Sequence, residues 1–257
     1  MSVKFWHYNL VDQPQTVITA TNQNAFFPAD NIKDPRTTKV LRSTTTETAV
    51  TFDFTTIEDV DSILLVPHSQ LGWGFTGSIL VQANATNNWA SPAYTTTIGP
   101  AEIDQVHNIA IKEFPVQTWR FWRLTFTNTP YVEVSKIFIG KLNNVGGRSV
   151  SFGWSYIDND LSQSVVNRYG QKFTDVITSQ KRIGFALNVM TKDQMDQFFE
   201  VYDYNRTFRP FFFQVCDCEI MNDMERFAGY FTFDQMPEIV NNNYSLYDLQ
   251  ATVTEAT

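Results

Sequence analysis

The feature that most constrains the fold is a series of short apolar segments separated by loops rich in Asn, Thr, Gly and Pro. Such segments recur between about residues 15 and 140, at 50–54, 62–66, 78–83, 119–126 and 132–139. Alternating apolar and polar residues indicate a strand with one buried face, whereas a continuous apolar run suits a strand buried on both faces. Short strands at this spacing, without helices between them, are typical of a β-sandwich or jelly roll.

A stretch dominated by Asn and Gly, residues 141–148, separates this region from the rest of the chain. Asn and Gly favour turns and linkers, so we place a domain boundary there and predict domains at 1–142 and 143–257. Strand patterns continue after the boundary, and residues 164–173 have the pattern of a β-hairpin that turns near 168–171.

One segment of the second domain has a helical rather than a strand period. Thr191 and Gln194 have the spacing of a capping box, which satisfies free backbone groups at a helix start. The apolar residues Met195, Phe198, Phe199 and Tyr202 then lie on one helical face, which predicts a helix around 191–204 that packs on a sheet. The predicted fold is therefore all-β with one helix in the C-terminal part: a β-sandwich jelly roll followed by a second β domain.

Charge and hydropathy argue against several classes of partner. The net charge is −8 and no run of Lys or Arg occurs, so specific nucleic-acid binding is not expected. No apolar run approaches the roughly 20 residues that a membrane helix requires, so no membrane partner is expected. The first residues lack the apolar core of a secretion signal, which leads us to expect assembly in a cytoplasm.

Motifs of catalysis are not found in the sequence. The three histidines have no metal-binding spacing, and neither a Gly-x-Ser-x-Gly elbow nor a phosphate-binding glycine loop occurs. We therefore predict that the protein is not an enzyme, with no catalytic residues, no cofactor and no metal beyond the calcium candidates named below.

The order of segments in the first domain resembles a known family. Residues 24–38 contain Pro28, Asn31 and Asp34 in a "Pro, two residues, Asn, two residues, Asp" pattern, and a Trp-Arg-Leu strand at 122–124 precedes a final strand that ends at Gly140. This order is similar to the discoidin-like, galactose-binding-like jelly rolls of phage virion proteins. The resemblance covers roughly the first 140 residues.

The second domain looks like the tail-tube-like β-barrel or sandwich domains of phage tail and distal tail proteins. Together the two resemblances imply a distal-tail or baseplate ring subunit of a phage virion that joins tail tube to tip. Its partners would be further copies of itself and other tail proteins (tube, hub or fibre), with DNA passing through the ring. Assembly would take place in the host cytoplasm. The hairpin tip would contact the neighbouring subunit through Asn167, Arg168, Tyr169, Gly170 and Gln171. A minor fibre-attachment or capsid-decoration role stays open.

The loop at residues 30–35 offers oxygen ligands that some relatives use for calcium. Asp30, Asn31 and Asp34 are the candidates here, although Pro35 stands where many relatives have Gly. Calcium needs about six to eight oxygens. The alternative is that these side chains hydrogen-bond the local backbone and fix the loop.

Two tryptophans in predicted loops suggest an alternative function. Trp73 lies between glycines and Trp89 follows two asparagines. Exposed aromatic rings stack on sugars, so the chain could be a carbohydrate-binding module that contacts a host surface, with Trp73 and Trp89 as the platform. Alternatively, these rings close one end of the jelly roll or are buried against a neighbouring subunit.

Overall fold

The computed structural model describes residues 2–67, 77–104, 109–127, 132–175, 179–215, 227–243 and 245–256. They form two β modules, and the predicted all-β fold with a jelly-roll sandwich and one helix is confirmed. The strands are β1 (Lys4–Trp6), β2 (Val17–Ala20), β3 (Leu41–Arg42), β4 (Thr48–Pro67), β5 (Ser78–Asn84), β6 (Tyr94–Ile98), β7 (Ile103–Asp104), β8 (Ile109–Thr127), β9 (Glu133–Gly140), β10 (Ser155–Asp160), β11 (Gln163–Val166), β12 (Lys172–Asp175), β13 (Ser179–Met190), β14 (Phe211–Gln214), β15 (Ala228–Phe233), β16 (Glu238–Asn243) and β17 (Leu246–Glu255).

The helix α1 spans Lys192–Asn205 and begins with the predicted capping box. The Thr191 hydroxyl accepts from the Gln194 backbone N–H, and the Gln194 side chain accepts from the Thr191 backbone N–H. Three short 3-10 segments lie at Ala29–Lys33, Pro100–Glu102 and Val145–Gly147. Within the described part of the chain, no helix has both the length and the apolar character needed to cross a membrane.

Two long, bent strands, β4 and β8, build the jelly roll. The first half of β4 lies between β2 and the second half of β8, which continues to β5 and β6. The second half of β4 lies between β9 and the first half of β8. The sequence predicts separate strands at 50–54 and 62–66, but the structure joins them. The register of β4 shifts between Asp53 and Glu58, and Thr55 has a φ of 65°, so the strand turns from one layer into the other without ending.

The core of the jelly roll lies between these two layers and follows the alternation of the strands. In β8, Trp122, Leu124 and Phe126 point inward and are buried, whereas Arg123 and Thr125 lie on the outer face. Successive strand residues point to opposite faces, so every second position of β4, β8 and β5 faces outward. These outward positions form the candidate site described below.

The second module is one sheet with the order β1-β14-β15-β17-β13-β10, and β16 pairs with β17. Helix α1 packs on one face of this sheet through Phe198, Val201 and Tyr202. Aromatic rings dominate the core beneath the helix, because Phe198 and Tyr202 both contact Phe233 edge to face. Burial of large aromatic side chains in this layer contributes most of its packing energy.

Strand β1 departs from the predicted domain boundary. Residues Lys4–Trp6 lie in the predicted first domain, yet they pair with β14 at the edge of the second sheet. The reason is apolar packing: Phe5 is fully buried among four rings of the second module, with its centroid 5.0 Å from that of Phe213. The second module therefore combines the start of the chain with residues after about 143.

A third apolar layer joins the two modules. The face of β14 and β15 opposite the helix packs against the outer face of β4, β8 and β9. At the margin, the Lys4 ammonium bonds the Glu113 carboxylate at 2.8 Å. The buried residues of this layer are Trp6, Leu64, Ile109, Phe138, Phe212, Ala228 and Tyr230.

Candidate functional site

The outer face of the jelly-roll layer formed by β2, β4, β8, β5 and β6 carries a cluster of polar side chains at its centre. The strand register places Gln82 of β5 directly opposite Arg123 of β8, and Thr51 of β4 opposite Arg123 on the other side. Thr125 lies two residues further along β8 and therefore shares this face. We call the cluster of Gln82, Arg123 and Thr125 the Arg123 face.

Two side chains of the Arg123 face are buried without a hydrogen-bond partner. Gln82 and Thr125 are 7% and 5% exposed, and neither Gln82 Oε1 nor Thr125 Oγ1 has a partner in the described part of the protein. A buried polar group without a partner costs about 1–3 kcal/mol, and most buried polar groups in proteins are paired. Both groups lie on the same outer sheet face as Arg123.

Arg123 is the third member and it also lacks a hydrogen-bond acceptor. Its Nε is buried and unpaired, and in the residues that the structure describes its side chain forms no hydrogen bond or ion pair. Its guanidinium carbon lies 5.2 Å from the centre of the Trp89 ring, a cation–π contact. Burial lowers the pKa of Arg123 below its usual value, and the negative charge of the exposed Glu47 offsets part of this decrease.

A shallow hollow of about 620 Å³ opens beside the Arg123 face. Hydroxyl and amide groups predominate among its lining residues, and the Thr46 hydroxyl forms no hydrogen bond in the described part of the chain. The backbone at its rim is fixed by Asn22, which has a φ of 55° and whose side chain donates to the Glu47 carbonyl at 3.2 Å. The lining residues are Thr21, Asn22, Thr45, Thr46, Glu47, Ala49, Arg123 and Thr125.

Of the two tryptophans that were predicted to stack on sugars, the structure describes Trp89 but not Trp73. Trp89 is half-buried, with Arg123 against its ring and its Nε1 donating to Asn87 Oδ1 at 2.7 Å. This loop folds back over the sheet, so Trp89 lies beside the polar cluster. Trp73 lies outside the described residues. Whether either ring stacks on a sugar stays a prediction.

The calcium candidates are engaged in local bonds. Both carboxylate oxygens of Asp34 accept from the Arg36 guanidinium, at 2.8 and 2.6 Å, and Arg36 holds the pKa of Asp34 well below its usual range. Asn31 donates to the Val40 carbonyl at 2.8 Å, and Asp30 is exposed. In the described residues, no group of three or more His, Cys, Asp or Glu could hold a metal ion. Asn31 and Asp34 thus form loop-fixing bonds of the kind that the alternative describes, and calcium binding stays a prediction.

The predicted hairpin is present as an arm made of β11 and β12. These strands pair only with each other in the described residues and join residues 155–160 to 179–190, which pair within the second sheet. Asn167 shapes the turn, because its Oδ1 accepts from the backbone N–H groups of Tyr169 and Gln171. The apolar residues Val165, Val166 and Tyr169 are 69%, 60% and 73% exposed. Contact of this arm with a neighbouring subunit stays a prediction.

The sequence pattern did not lead us to predict Gln82, Arg123 and Thr125 as residues of a site. A signal was available, since the alternation of 119–126 already places Arg123 and Thr125 opposite the apolar face of the strand. That these polar groups would be buried, unpaired and adjacent to Gln82 depends on strand register and on the covering loop. Neither can be read from one strand alone.

No family model matches the sequence, and no curated protein matches it. Solved structures with a similar fold include CpGH89CBM32-5 from Clostridium perfringens, in complex with GalNAc-β-1,3-galactose (10% identity, 52% of this chain and 100% of that chain, TM-score 0.45). The family 32 carbohydrate-binding module of C. perfringens NanJ, in complex with galactose, has 11% identity over 53% of this chain and 98% of that chain (TM-score 0.42). A Streptococcus pneumoniae fucose-binding module, SpX-3, has 7% identity over 52% and 98% (TM-score 0.43). Likeness at this level transfers no ligand or partner to this chain.

Proposed function

We propose that the chain is a non-catalytic carbohydrate-binding protein whose jelly roll holds a saccharide at the Arg123 face. The observation that carries this proposal is that Arg123, which is unpaired and lies beside the Trp89 ring, lines the hydroxyl-rich hollow together with Thr125. Sugars present many hydroxyl groups that both donate and accept, and saccharide sites combine a few placed polar groups with an aromatic ring. This arrangement supplies both.

Unpaired polar groups reduce stability, so their retention is expected to serve binding. Replacing a buried, unpaired hydroxyl by a methyl group of the same shape is neutral or stabilising. We expect Thr125→Val and Gln82→Met to leave the thermal stability unchanged or higher and to weaken saccharide binding. The readouts are thermal unfolding and a glycan array probed with the full chain.

Thr48 provides a matched control. Its hydroxyl is also buried and unpaired, but it lies on the side of β4 that faces the core, together with Val50. Thr48→Val should therefore raise or preserve stability without any effect on binding. An array on which the wild-type chain binds no saccharide, or a Thr125→Val variant that binds as well as wild type, would refute the proposal.

A second candidate function rests on the arm. An isolated two-stranded hairpin is marginally stable in water, and this one exposes two valines and a tyrosine. Exposed apolar groups of this kind are typical of surfaces that pack against a partner. This supports a structural role in which copies of the chain assemble through their arms. The resemblance of the sequence extends that proposal to a ring in a phage tail, at the distal tail or baseplate.

Light scattering together with negative-stain imaging of the same peak tests the structural role. Closed rings with a central hole would support it, because a contact between two different surfaces of one chain closes into a ring or grows into a filament. A strict monomer at high concentration, also in the presence of candidate tail partners, would count against it. The two functions are compatible, since the Arg123 face and the arm belong to different modules.

A further inference from the structure

We infer that the saccharide bound at the Arg123 face carries a carboxylate, which the guanidinium of Arg123 receives. This inference rests on the proposed carbohydrate-binding function and names the chemical class of the ligand. It predicts that sugar acids such as uronic acids bind better than the neutral sugars of the same ring shape.

Arg123 differs from the other arginines of the jelly roll in its bonding. Arg36, Arg42 and Arg120 each form an ion pair, with Asp34, Glu133 and Asp53 respectively. Arg123 is the one arginine among these four without an ion pair or hydrogen bond in the described part of the chain. Its five N–H donors therefore have no protein acceptor, although the side chain is half-buried.

Trp89 lies on one side of Arg123, with its ring centre 5.2 Å from the guanidinium carbon. Arg123 also lines the hollow. A guanidinium whose N–H groups have no protein acceptor matches a planar acceptor with two oxygens, which is the geometry of a carboxylate.

The charged groups at the hollow limit the charge of the ligand. One guanidinium balances one negative charge, and Glu47 stands at the rim of the same hollow. The whole chain carries a net charge of −8. A ligand with two or more negative charges, such as a phosphate monoester, would meet repulsion from Glu47, whereas a single carboxylate on a neutral ring would not exceed the charge that Arg123 offers.

The hydroxyl groups around the hollow complete the recognition of such a ligand. With the carboxylate on Arg123, the sugar ring would lie over Thr125 and the free hydroxyl of Thr46. Arg123 and Thr125 both line the hollow, so one molecule would contact the charged group and the hydroxyl-bearing wall together.

The test compares saccharides that differ only in the carboxylate. Binding of the methyl glycoside of galacturonic acid, of its methyl ester and of the corresponding neutral methyl galactoside to the full chain is measured by calorimetry, with inorganic phosphate as a competitor. We expect the acid to bind about tenfold more tightly than the ester or the neutral sugar, since a bidentate charged pair replaces a neutral contact. Arg123→Met, which preserves packing on Trp89, should abolish this preference without loss of folding, and Arg123→Lys should retain only part of it.

Arg120 supplies the matched control, because it is an arginine of the same strand that is already paired with Asp53. Arg120→Lys should leave the acid preference intact. Equal binding of acid, ester and neutral sugar would overturn this inference while the proposed carbohydrate function stands. Binding of none of a broad set of saccharides would overturn both. Displacement of the acid by millimolar phosphate would show a general anion site and would also overturn the inference.

Discussion

Arg120 and Asp53 form a two-bond ion pair across the point where the two long strands of the jelly roll bend. Arg120 Nε lies 2.7 Å from Asp53 Oδ1, and its Nη2 lies 2.8 Å from Oδ2. The same carboxylate accepts from the backbone N–H of Thr55, whose φ of 65° turns β4 into the second layer. Asp53 therefore links the bend of β4 to β8 through hydrogen bonds to Thr55 and Arg120.

This pair is partly exposed, so its contribution to stability is moderate. We expect Arg120→Lys to lower the free energy of unfolding slightly, because a lysine cannot form both bonds. Arg120 also lowers the pKa of Asp53, so the contribution of the pair is present above the unfolded pKa of Asp and is lost as the pH falls below it. Urea unfolding should show a larger difference between wild type and Asp53→Asn at pH 7 than at pH 3, because the contribution is lost as the pH falls through the lowered pKa of Asp53 in the folded state. An equal difference at both values would contradict this assignment.

The sequence predicts the fold class and the helix well, because these depend on local patterns. The capping box at Thr191 and the apolar stripe of α1 are local signals, and the structure confirms both. Strand β1 could not be assigned in this way, since residues 4–6 carry no information about which sheet they join. Their partner, β14, lies more than 200 residues away, and only the complementary packing of Phe5 with Phe213 selects it. Gln82 and Arg123 likewise meet only through strand register.

The placement of β1 leads to a prediction about Phe5. Truncation of a fully buried phenylalanine costs about 3–5 kcal/mol, so Phe5→Ala should strongly destabilise the second module although the residue lies at the start of the chain. Hydrogen exchange should show lost protection in β14 and β15 first. Phe52→Ala, in the core of the jelly roll, is the control and should reduce protection in β4 and β8 instead. Loss of protection in the jelly roll alone on Phe5→Ala would contradict the assignment.

We predict that the free energy of unfolding depends on pH through His7, which lies at the junction of the modules. Burial lowers the pKa of His7 from 6.5 to about 4, and its ring lies edge-on to that of Tyr204 at 6.0 Å. The folded state therefore keeps the imidazole neutral while the unfolded chain binds a proton below pH 6.5, so stability is lost as the pH falls from 6.5 to 4. The loss should be on the order of 3 kcal/mol.

Comparison with His7→Gln isolates this effect. Burial raises the pKa of Asp12 to about 6, which gives a slope of opposite sign over part of the same range, but that slope is common to both proteins and cancels. We expect the melting temperature of the wild type to fall more steeply than that of His7→Gln between pH 6.5 and 4. Parallel curves would show that His7 does not differ in pKa between the folded and unfolded states.

The last prediction concerns the arm. If Val165, Val166 and Tyr169 make the contacts between copies, then Val165→Thr, Val166→Thr and Tyr169→Ser together should abolish self-association. The melting temperature of the monomer should stay unchanged, because these side chains are exposed and contribute little to packing within one chain. Deletion of residues 167–171 should have the same effect on assembly. Sedimentation and negative-stain imaging provide the measurement.

Phe26 is the control for the arm, since it is an exposed aromatic residue (87%) of the jelly roll. Phe26→Ser removes a comparable apolar surface at a place where no assembly contact is proposed, so it should leave association unchanged. Assemblies that persist in the triple variant would refute the role of the arm, and assemblies that are lost equally in Phe26→Ser would show that general surface hydrophobicity, rather than the arm, drives association.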